Sequence, residues 1–252
     1  MFLPFIGVVA TQSFTPPTPI ELNPDVFTKL LLHMDGADES TTFTDSALGG
    51  NAPHTVTANG DAQLDTAQYR YSTASGLLDG TGDYLTVPAN TDFNFGAGDC
   101  TIEFWVYIAT ADAFSTGGAD IRRVVTIGEL ESENGSLTLG VGRYASGSYA
   151  GRRIVFSIRS GGSVYDYAST DIGSTFSYDE WHHVAFVQDS TTVSMYFDGV
   201  SYGFGLGSNP MSYNIGLDTG QLQIGGRYNG SSWTEFFKGH LDELRISNIA
   251  RY

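Results

Sequence analysis

Cysteine is almost absent from this sequence of 252 residues, with Cys100 as its single copy. No intrachain disulfide can form, so packing, with or without a bound metal, must supply the stability. A thiolate nucleophile needs a positioned base, and no such partner can be assigned from the sequence. We therefore expect Cys100 to be a half-buried residue at a strand edge.

Basic residues are also scarce. The chain has 12 Lys and Arg against 28 Asp and Glu, which gives a formal net charge of −16. This charge would repel a phosphate backbone, so nucleic acid is excluded as a partner. The same acidity suits hard cations such as calcium, although surface Asp residues often serve only solubility.

Long apolar runs are missing. No segment approaches the roughly 18 uninterrupted apolar residues that a transmembrane helix requires, so we expect no membrane span. Residues 1–10 are apolar but too short to cross a bilayer. No Lys or Arg precedes them, and Lys29 is the first cation, which disfavours a signal peptide. A cleaved leader stays open as an alternative.

Segments with the periodicity of an amphipathic helix are absent as well. Residues 11–28 instead contain four prolines, whose fixed φ and missing amide donors favour extended chain. These prolines are Pro16, Pro17, Pro19 and Pro24. We predict an apolar and proline-rich N-terminal arm over residues 1–28 and one folded domain over residues 29–252.

Strand-length apolar runs, separated by Gly, Asn, Asp and Ser clusters, make up most of that domain. In Thr101–Ile108 every second side chain is aliphatic or phenyl, which predicts one face toward a core. Trp181–Val187, Thr192–Phe197 and Val200–Phe204 predict three successive antiparallel strands joined by tight turns. So many sequential strands must curl into two layers, so we predict an all-β, two-sheet antiparallel β-sandwich. Further strands are predicted near residues 30–34, 76–78, 84–87, 123–127, 136–141, 153–159, 221–224 and 239–246.

Six segments, taken in order, resemble the laminin G-like jelly rolls of the concanavalin A-like lectin/glucanase superfamily. The resemblance extends over roughly Leu30 to Tyr252 and implies a jelly-roll fold. It implies much less about function, because fold and activity separate freely in such superfolds. The segments are Leu31–Gly36, Leu77–Val87, Thr101–Val106, Trp181–Ala185, Met195–Val200 and Phe237–Ser247.

The segment from Leu30 to Asp45 is similar to laminin G-like domains of marine bacteriophage structural proteins. This similarity implies a non-enzymatic virion structural or adhesion protein, in a capsid-decoration or tail position. Residues 1–28 would then attach it to other virion subunits in an oligomeric assembly, with the sandwich facing outward. The alternatives are a secreted, extracellular carbohydrate-binding lectin and, less favoured, a glycoside hydrolase.

The same resemblance implies a structural calcium ion, because related jelly rolls tie the first strand, a hairpin glycine and the last strand through one ion. Here the corresponding ligands are the carboxylates of Asp35 and Asp242 and the carbonyl of Gly80. Calcium takes six to eight oxygens, so Asp79, Asp83 or waters would complete the shell. The alternative is that Asp35 begins a turn and Asp242 alternates outward on the last strand.

Two further groups of residues bear on chemistry. Glu129, Glu131 and Glu133 resemble the alternating carboxylates of glucanase members, since glycoside hydrolysis needs two carboxyl groups. Asn134-Gly135 follows at once, so we favour an acidic hairpin tip in solvent.

His182 and His183 should point to opposite faces of a strand and cannot chelate one metal together.

Glycan binding would require aromatic platforms and polar side chains on a sheet face or loop rim. Several aromatic residues are candidates, but no single sugar-binding residue can be named from the sequence. The candidates are Trp105, Trp233, Tyr144, Tyr149, Tyr165, Tyr167 and Tyr228.

Overall fold

The computed structural model describes residues 22–128, 136–146, 150–160, 163–173, 175–190, 192–206 and 221–252. Within these ranges the chain forms strands and two short 3-10 turns, Thr91–Phe93 and Thr110–Asp112, without an α-helix. No helix in this part of the chain is long and apolar enough to cross a membrane. The strands are β1 Thr28–Leu32, β2 Thr57–Asn59, β3 Gln63–Asp65, β4 Ser75–Asp79, β5 Tyr84–Val87, β6 Cys100–Tyr107, β7 Asp120–Ile127, β8 Leu137–Tyr144, β9 Gly151–Ser160, β10 Ser163–Ser169, β11 Trp181–Asp189, β12 Thr192–Phe197, β13 Val200–Tyr202, β14 Phe204–Leu206, β15 Leu222–Ile224, β16 Arg227–Tyr228, β17 Trp233–Thr234 and β18 Lys238–Ser247.

Two antiparallel sheets of eight strands each contain nearly all of these strands. The first sheet has the order β13-β12-β11-β6-β18-β4-β3, and β1 also pairs with β18. The second has the order β14-β10-β9-β8-β7-β15-β5-β2, while β16 and β17 form a separate hairpin. The predicted all-β, two-sheet antiparallel sandwich is confirmed, and so is the run of three neighbouring strands β11, β12 and β13.

The core lies between the two sheets because strand alternation sends every second side chain inward. On β6 the inward residues are Ile102, Phe104 and Val106, each 0% exposed. From the second sheet, Phe156 packs edge-on against Phe186 with ring centroids 5.2 Å apart. The aliphatic and phenyl face predicted for this part of the chain is therefore the core face.

The last residues of the predicted arm pack against the sandwich. The amide of Leu22 donates to Glu243 Oε2 at 2.7 Å, and β1 begins at Thr28. Both carboxylate oxygens of Asp25 accept from the Arg251 guanidinium, at 2.9 to 3.0 Å. This hydrogen bond and ion pair lower the pKa of Asp25 to about 2. Residues 22–28 thus contact the domain, and residues 1–21 lie outside the described part.

Cys100 is more buried than predicted. It starts β6, which has β11 and β18 as neighbours, and its side chain is 0% exposed. Burial raises the pKa of the Cys100 thiol to about 12, because a thiolate would be poorly solvated there. Cys100 is therefore an inert core residue.

Candidate functional site

A cleft of about 570 Å³ lies on the outer face of the first sheet. Its floor contains side chains that alternate with core residues, namely Glu103 and Trp105 from β6 and Trp181 and His183 from β11. His183 of β11 pairs directly with Trp105 of β6, so the two side chains lie next to each other on this face of the sheet. The face opposite the core is therefore a polar and aromatic surface.

The carboxylate of Glu103 is buried in this floor and has partners on both oxygens. Its Oε1 accepts from Arg245 Nε at 2.7 Å. Its Oε2 accepts from the Tyr252 hydroxyl at 2.5 Å and lies 3.2 Å from His183 Nε2. Burial alone would raise the pKa of Glu103, but the His183 hydrogen bond, the Arg245 charge and the Tyr252 hydrogen bond outweigh burial and lower the pKa to about 2. Glu103 is therefore an anion at neutral pH.

Asp198, in the turn between β12 and β13, occupies the rim of the cleft and is also bound on both oxygens. Its Oδ2 lies 2.8 Å from His182 Nδ1, and its Oδ1 accepts from the backbone amide of His183 at 2.8 Å. The two histidines leave β11 on opposite sides, as predicted. His182 stacks on Phe197 at 4.8 Å, while the His183 ring lies 5.2 Å from that of Trp105.

One wall of the cleft is the segment Arg70-Tyr71, which precedes β4. The Arg70 guanidinium carbon lies 4.3 Å from the Trp105 ring centroid, a cation–π contact. Tyr71 meets the same indole edge-on, with centroids 5.7 Å apart. Asp242 holds this wall in place, because its Oδ2 accepts from the backbone amides of Arg70 at 2.7 Å and Tyr71 at 3.0 Å.

Asp242 owes its position to a β-bulge in β18. The register with β6 shifts between Asp242 and Arg245, and Glu243 adopts a positive φ of 48°. Asp242 is 0% exposed, and its Oδ1 has no hydrogen-bond partner among the described residues. Burial raises the pKa of Asp242 to about 7, although the amides of Tyr71 and Arg70 oppose the shift.

Trp181 forms part of the cleft floor. Its ring is half-buried and lies 5.5 Å from that of Tyr107. The indole Nε1 has no hydrogen-bond partner in the described part of the chain. The neighbouring Glu180 is exposed and also lines the cleft.

The three residues predicted to bind calcium are only partly brought together. Asp35 accepts from the Thr73 amide at 3.1 Å, so Asp35 and Asp242 hold the same stretch before β4. Asp79, the residue before Gly80, pairs with Lys238 at one end of the pairing between β4 and β18. Asp242 follows Leu241, which is the last paired residue at the other end. Five residues of strand separate the two levels, roughly 16 Å, so Gly80 is not placed to share an ion with Asp242.

No group of three or more His, Cys, Asp or Glu suited to a metal occurs among the described residues. Asp83, proposed to complete the shell, instead accepts from the backbone amides of Asp61 at 2.6 Å and Asp79 at 2.9 Å. Calcium binding by Asp35 and Asp242 stays a prediction.

The other candidates named from the sequence lie away from the cleft. Trp233 stacks on Tyr84 with centroids 3.6 Å apart, and Tyr228 packs on Trp233 at 5.8 Å. Tyr167 is buried against Phe156. Tyr144 and Tyr165 lie on β8 and β10 in the second sheet. The glutamates between residues 129 and 133, and Tyr149, lie outside the described residues.

Arg70, Tyr71, Thr175, Glu180 and Tyr252 are among the cleft residues that the sequence did not single out. Arg70 and Tyr71 have no local strand pattern, and they reach Trp105 only through hydrogen bonds to Asp242, which is 172 residues away from Arg70. The tight turn predicted between Thr192–Phe197 and Val200–Phe204 locates Asp198 but does not indicate its two partners.

Comparison with known structures supports a common fold. Domain 4 of an extracellular arabinanase from Geobacillus stearothermophilus, in complex with arabinotriose, is 20% identical with a TM-score of 0.55, covering 88% of this chain and 93% of that one. The binding domain of botulinum neurotoxin serotype D is 13% identical with a TM-score of 0.58, covering 88% and 48%. Trypanosoma rangeli sialidase in complex with sialic acid is 12% identical with a TM-score of 0.55, covering 91% and 32%. At these sequence identities the structural likeness shows the fold alone. A comparison with curated protein sequences found no match.

The sequence itself assigns the family. Residues 79–252 match the laminin G family model described as the concanavalin A-like lectin/glucanases superfamily. The match includes β5 to β18 and therefore most strands of both sheets. The chain belongs to the concanavalin A-like lectin/glucanases superfamily.

Proposed function

We propose that this protein is a non-enzymatic, carbohydrate-binding adhesion module and that the cleft of the first sheet holds neutral sugar residues. The observation that carries the proposal is the composition of the cleft. Trp181, Tyr71 and Tyr252 offer partly exposed aromatic rings, while Glu180 and Thr175 offer exposed polar groups at the rim. Sugar recognition combines apolar ring faces with a few polar groups of this kind.

Charge favours a neutral glycan over an acidic one. Three carboxylates, those of Glu103, Glu180 and Asp198, line the cleft, against the guanidinium of Arg70 in its wall and that of Arg245, which pairs with Glu103. The whole chain carries a formal net charge of −16. An anionic ligand would therefore meet repulsion both at long range and in the cleft.

The ligands bound in two structural neighbours agree with this ligand class in part. The arabinanase domain is in complex with arabinotriose, a neutral sugar, and the sialidase is in complex with an acidic one. The alignment with this chain covers 93% of the arabinanase domain, so arabinotriose is a natural first probe.

The state of the cleft carboxylates supports binding without hydrolysis. Glycoside hydrolysis requires one carboxyl group that gives a proton and a second carboxylate that acts as base or nucleophile. Glu103 and Asp198 already have partners on both oxygens, and the pKa of Glu103 is lowered to about 2. Only Glu180 is left among the lining carboxylates, and one carboxyl group is too few.

A virion location is the second part of the proposal, with an extracellular lectin as its rival. Its basis is the resemblance to phage structural domains that the sequence of residues 30–45 predicts, together with the apolar composition of residues 1–10. Val26, Phe27 and Leu48 are exposed by 67%, 45% and 67% near the base of the arm. Exposed apolar residues of this kind suit contact with another subunit. Flanking capsid or tail genes would support a virion location, and flanking secreted glycan-degrading enzymes would contradict it.

A printed array of neutral oligosaccharides that includes arabinotriose tests the proposed binding. The wild type should bind at least one glycan, and Trp181→Ala should weaken that binding roughly tenfold or more, because ring stacking on sugars is lost. Release of reducing ends from any bound glycan would contradict the non-enzymatic assignment, most sharply if Glu131→Gln abolished it. Unchanged binding by a folded Trp181→Ala variant would remove the cleft from consideration.

A further inference from the structure

The described chain begins at the cleft of the first sheet. Leu22, its first residue, is one of the residues that line the cleft. The backbone amide of Leu22 donates to Glu243 Oε2 at 2.7 Å, and Glu243 is 0% exposed on β18. The other oxygen of Glu243 lies 2.7 Å from His33 Nδ1, so the carboxylate that holds Leu22 is itself fixed. Residues 1–21 therefore join the domain at the edge of the cleft.

Among the described residues that line the cleft, two buried side-chain atoms have no hydrogen-bond partner, and both are donors. They are Arg70 Nε and Trp181 Nε1. Guanidinium and indole nitrogens donate hydrogen bonds and cannot accept them. The acceptors beside them, the carboxylates of Glu103 and Asp198, already have partners on both oxygens. The cleft therefore suits a ligand that presents hydrogen-bond acceptors.

Aromatic rings surround these two donors. The Arg70 guanidinium carbon lies 4.3 Å from the ring centroid of Trp105, and Tyr71 meets the same indole edge-on. The ring of Trp181 is half-buried, and Tyr252 is 51% exposed. Grooves lined by aromatic rings bind proline-rich segments, because a polyproline II helix is formed before binding and loses little conformational entropy.

The chain that precedes Leu22 has the complementary composition. Pro16 and Pro19 have the spacing of a PxxP segment within Phe14-Thr15-Pro16-Pro17-Thr18-Pro19-Ile20. A proline has a carbonyl acceptor but no N–H donor, so this backbone presents mainly acceptors. Residues 1–20 contain no Asp, Glu, Lys or Arg, so the carboxylates that line the cleft do not repel the segment.

We infer that residues 14–20 dock in the cleft of their own chain as a polyproline II segment. The strand that carries Glu243 and the strand that carries Trp181 are separated by β6 alone, so they lie about 10 Å apart. Six residues of polyproline II extend about 19 Å, so residues 16–21 are long enough to cross from Leu22 to Trp181. The carbonyl groups of the segment accept from Trp181 Nε1 and Arg70 Nε, and its proline rings pack on the aromatic side chains.

The docked segment competes with a sugar for the same cleft. This consequence rests on the proposed function, whereas the docking itself does not. Because the cleft has to open for its ligand, we expect the segment to be docked in about two thirds of the molecules, which weakens sugar binding about threefold. A threefold change corresponds to about 0.7 kcal/mol. Loss of the segment should therefore move the melting temperature by no more than about 3 °C.

Thiol cross-linking in the full chain tests the docking without any glycan. Thr18→Cys places one thiol in the segment, and Thr175→Cys places another at the exposed rim of the cleft. In the control, Thr57→Cys on β2 of the second sheet replaces Thr175→Cys. Cys100 is buried and does not compete for the reagent. A short bifunctional reagent should join the segment to the rim, within one chain, roughly fivefold faster than to β2.

Substitution of the prolines provides the second comparison. Replacing Pro16, Pro17 and Pro19 together by Ala should remove the preference for the rim, because the segment loses its preformed conformation. Replacing Thr15 by Ala in the cross-linking protein should leave the preference unchanged. Equal rates at the rim and at β2, or a preference that survives the loss of the prolines, would overturn the docking. A fast cross-link between two chains would assign the cleft to the segment of a second copy and reject docking within one chain.

Glycan titration of the variants without added cysteines separates this inference from the proposed function. The variant without the three prolines should bind a neutral oligosaccharide about threefold more tightly than the wild type, and Thr15→Ala with Thr18→Ala should bind like the wild type. A cross-link at the rim without glycan binding by any variant would support the docking and reject the sugar site. Glycan binding that Trp181→Ala weakens, without a preferred cross-link at the rim, would support the sugar site and reject the docking.

Discussion

The Tyr252 hydroxyl donates to Glu103 Oε2 at 2.5 Å, which ties the end of the described chain to the centre of the first sheet. The same carboxylate is bound by Arg245 through its other oxygen. Hydrogen bonds to charged groups contribute about 2 kcal/mol, so Tyr252→Phe should lower the free energy of unfolding by about that amount. Urea unfolding of Tyr252→Phe, with Tyr69→Phe as the exposed control, measures it. Equal stability of the two variants would contradict a stabilising role for this bond.

The Glu103 network also makes stability depend on pH. The pKa of Glu103 falls from 4.5 to about 2 on folding, so its contribution is complete above pH 4.5 and is lost as the pH falls toward 2. That difference corresponds to about 3 kcal/mol. Wild type should be more stable than Glu103→Gln at pH 7, with the gap closing near pH 2. A gap that is constant from pH 7 to pH 2.5 would mean that Glu103 is not held as an anion.

Two N-terminal truncations should behave differently. Removing residues 1–21 leaves Leu22, the Asp25–Arg251 ion pair and the start of β1 intact. Removing residues 1–28 deletes all three and leaves Arg251 without its carboxylate. We expect the shorter deletion to melt like the full chain and the longer one to melt several degrees lower. If the protein is a virion component, both truncations should fail to incorporate, and normal assembly of the shorter one would contradict the anchoring role of residues 1–21.

Calcium binding has its own test. An ion held by Asp35 and Asp242 would bind only the folded state, so millimolar calcium should raise the melting temperature relative to chelator. Asp242→Ala should abolish this shift, and Asp112→Ala should retain it, because Asp112 lies on a surface turn paired with Lys238. No shift in the wild type, or the same shift in Asp242→Ala, would reject these ligands.

The fold was accessible from the sequence because it depends on local alternation. Ile102, Phe104 and Val106 repeat with period two, and tight turns separate the runs after Trp181, so the strands and the neighbours β11, β12 and β13 could be predicted. The cleft depends on distant pairs that leave no local pattern. The alternation in Thr101–Ile108 directs Glu103 away from the core, but its partners there, Arg245 and Tyr252, are each more than 140 residues away in sequence.

The calcium prediction was likewise right about a local element and limited by contacts between residues that are distant in sequence. The strand that carries Asp242 was predicted correctly, but the bulge at Glu243 and the register of β18 with β4 decide what Asp242 can contact. Neither is encoded in spacing along the chain. Gly80 consequently ends roughly 16 Å from the level of Asp242.

Glycan binding by matched tyrosine variants decides whether the cleft of the first sheet binds sugars. Tyr71 lines the cleft and packs on Trp105, whereas Tyr69, two residues earlier, is 48% exposed and outside it. Calorimetric titration with the strongest neutral oligosaccharide from the array should show roughly tenfold weaker binding for Tyr71→Ala and unchanged binding for Tyr69→Ala. Equal affinities in the two folded variants would contradict the account of the cleft as a sugar-binding site.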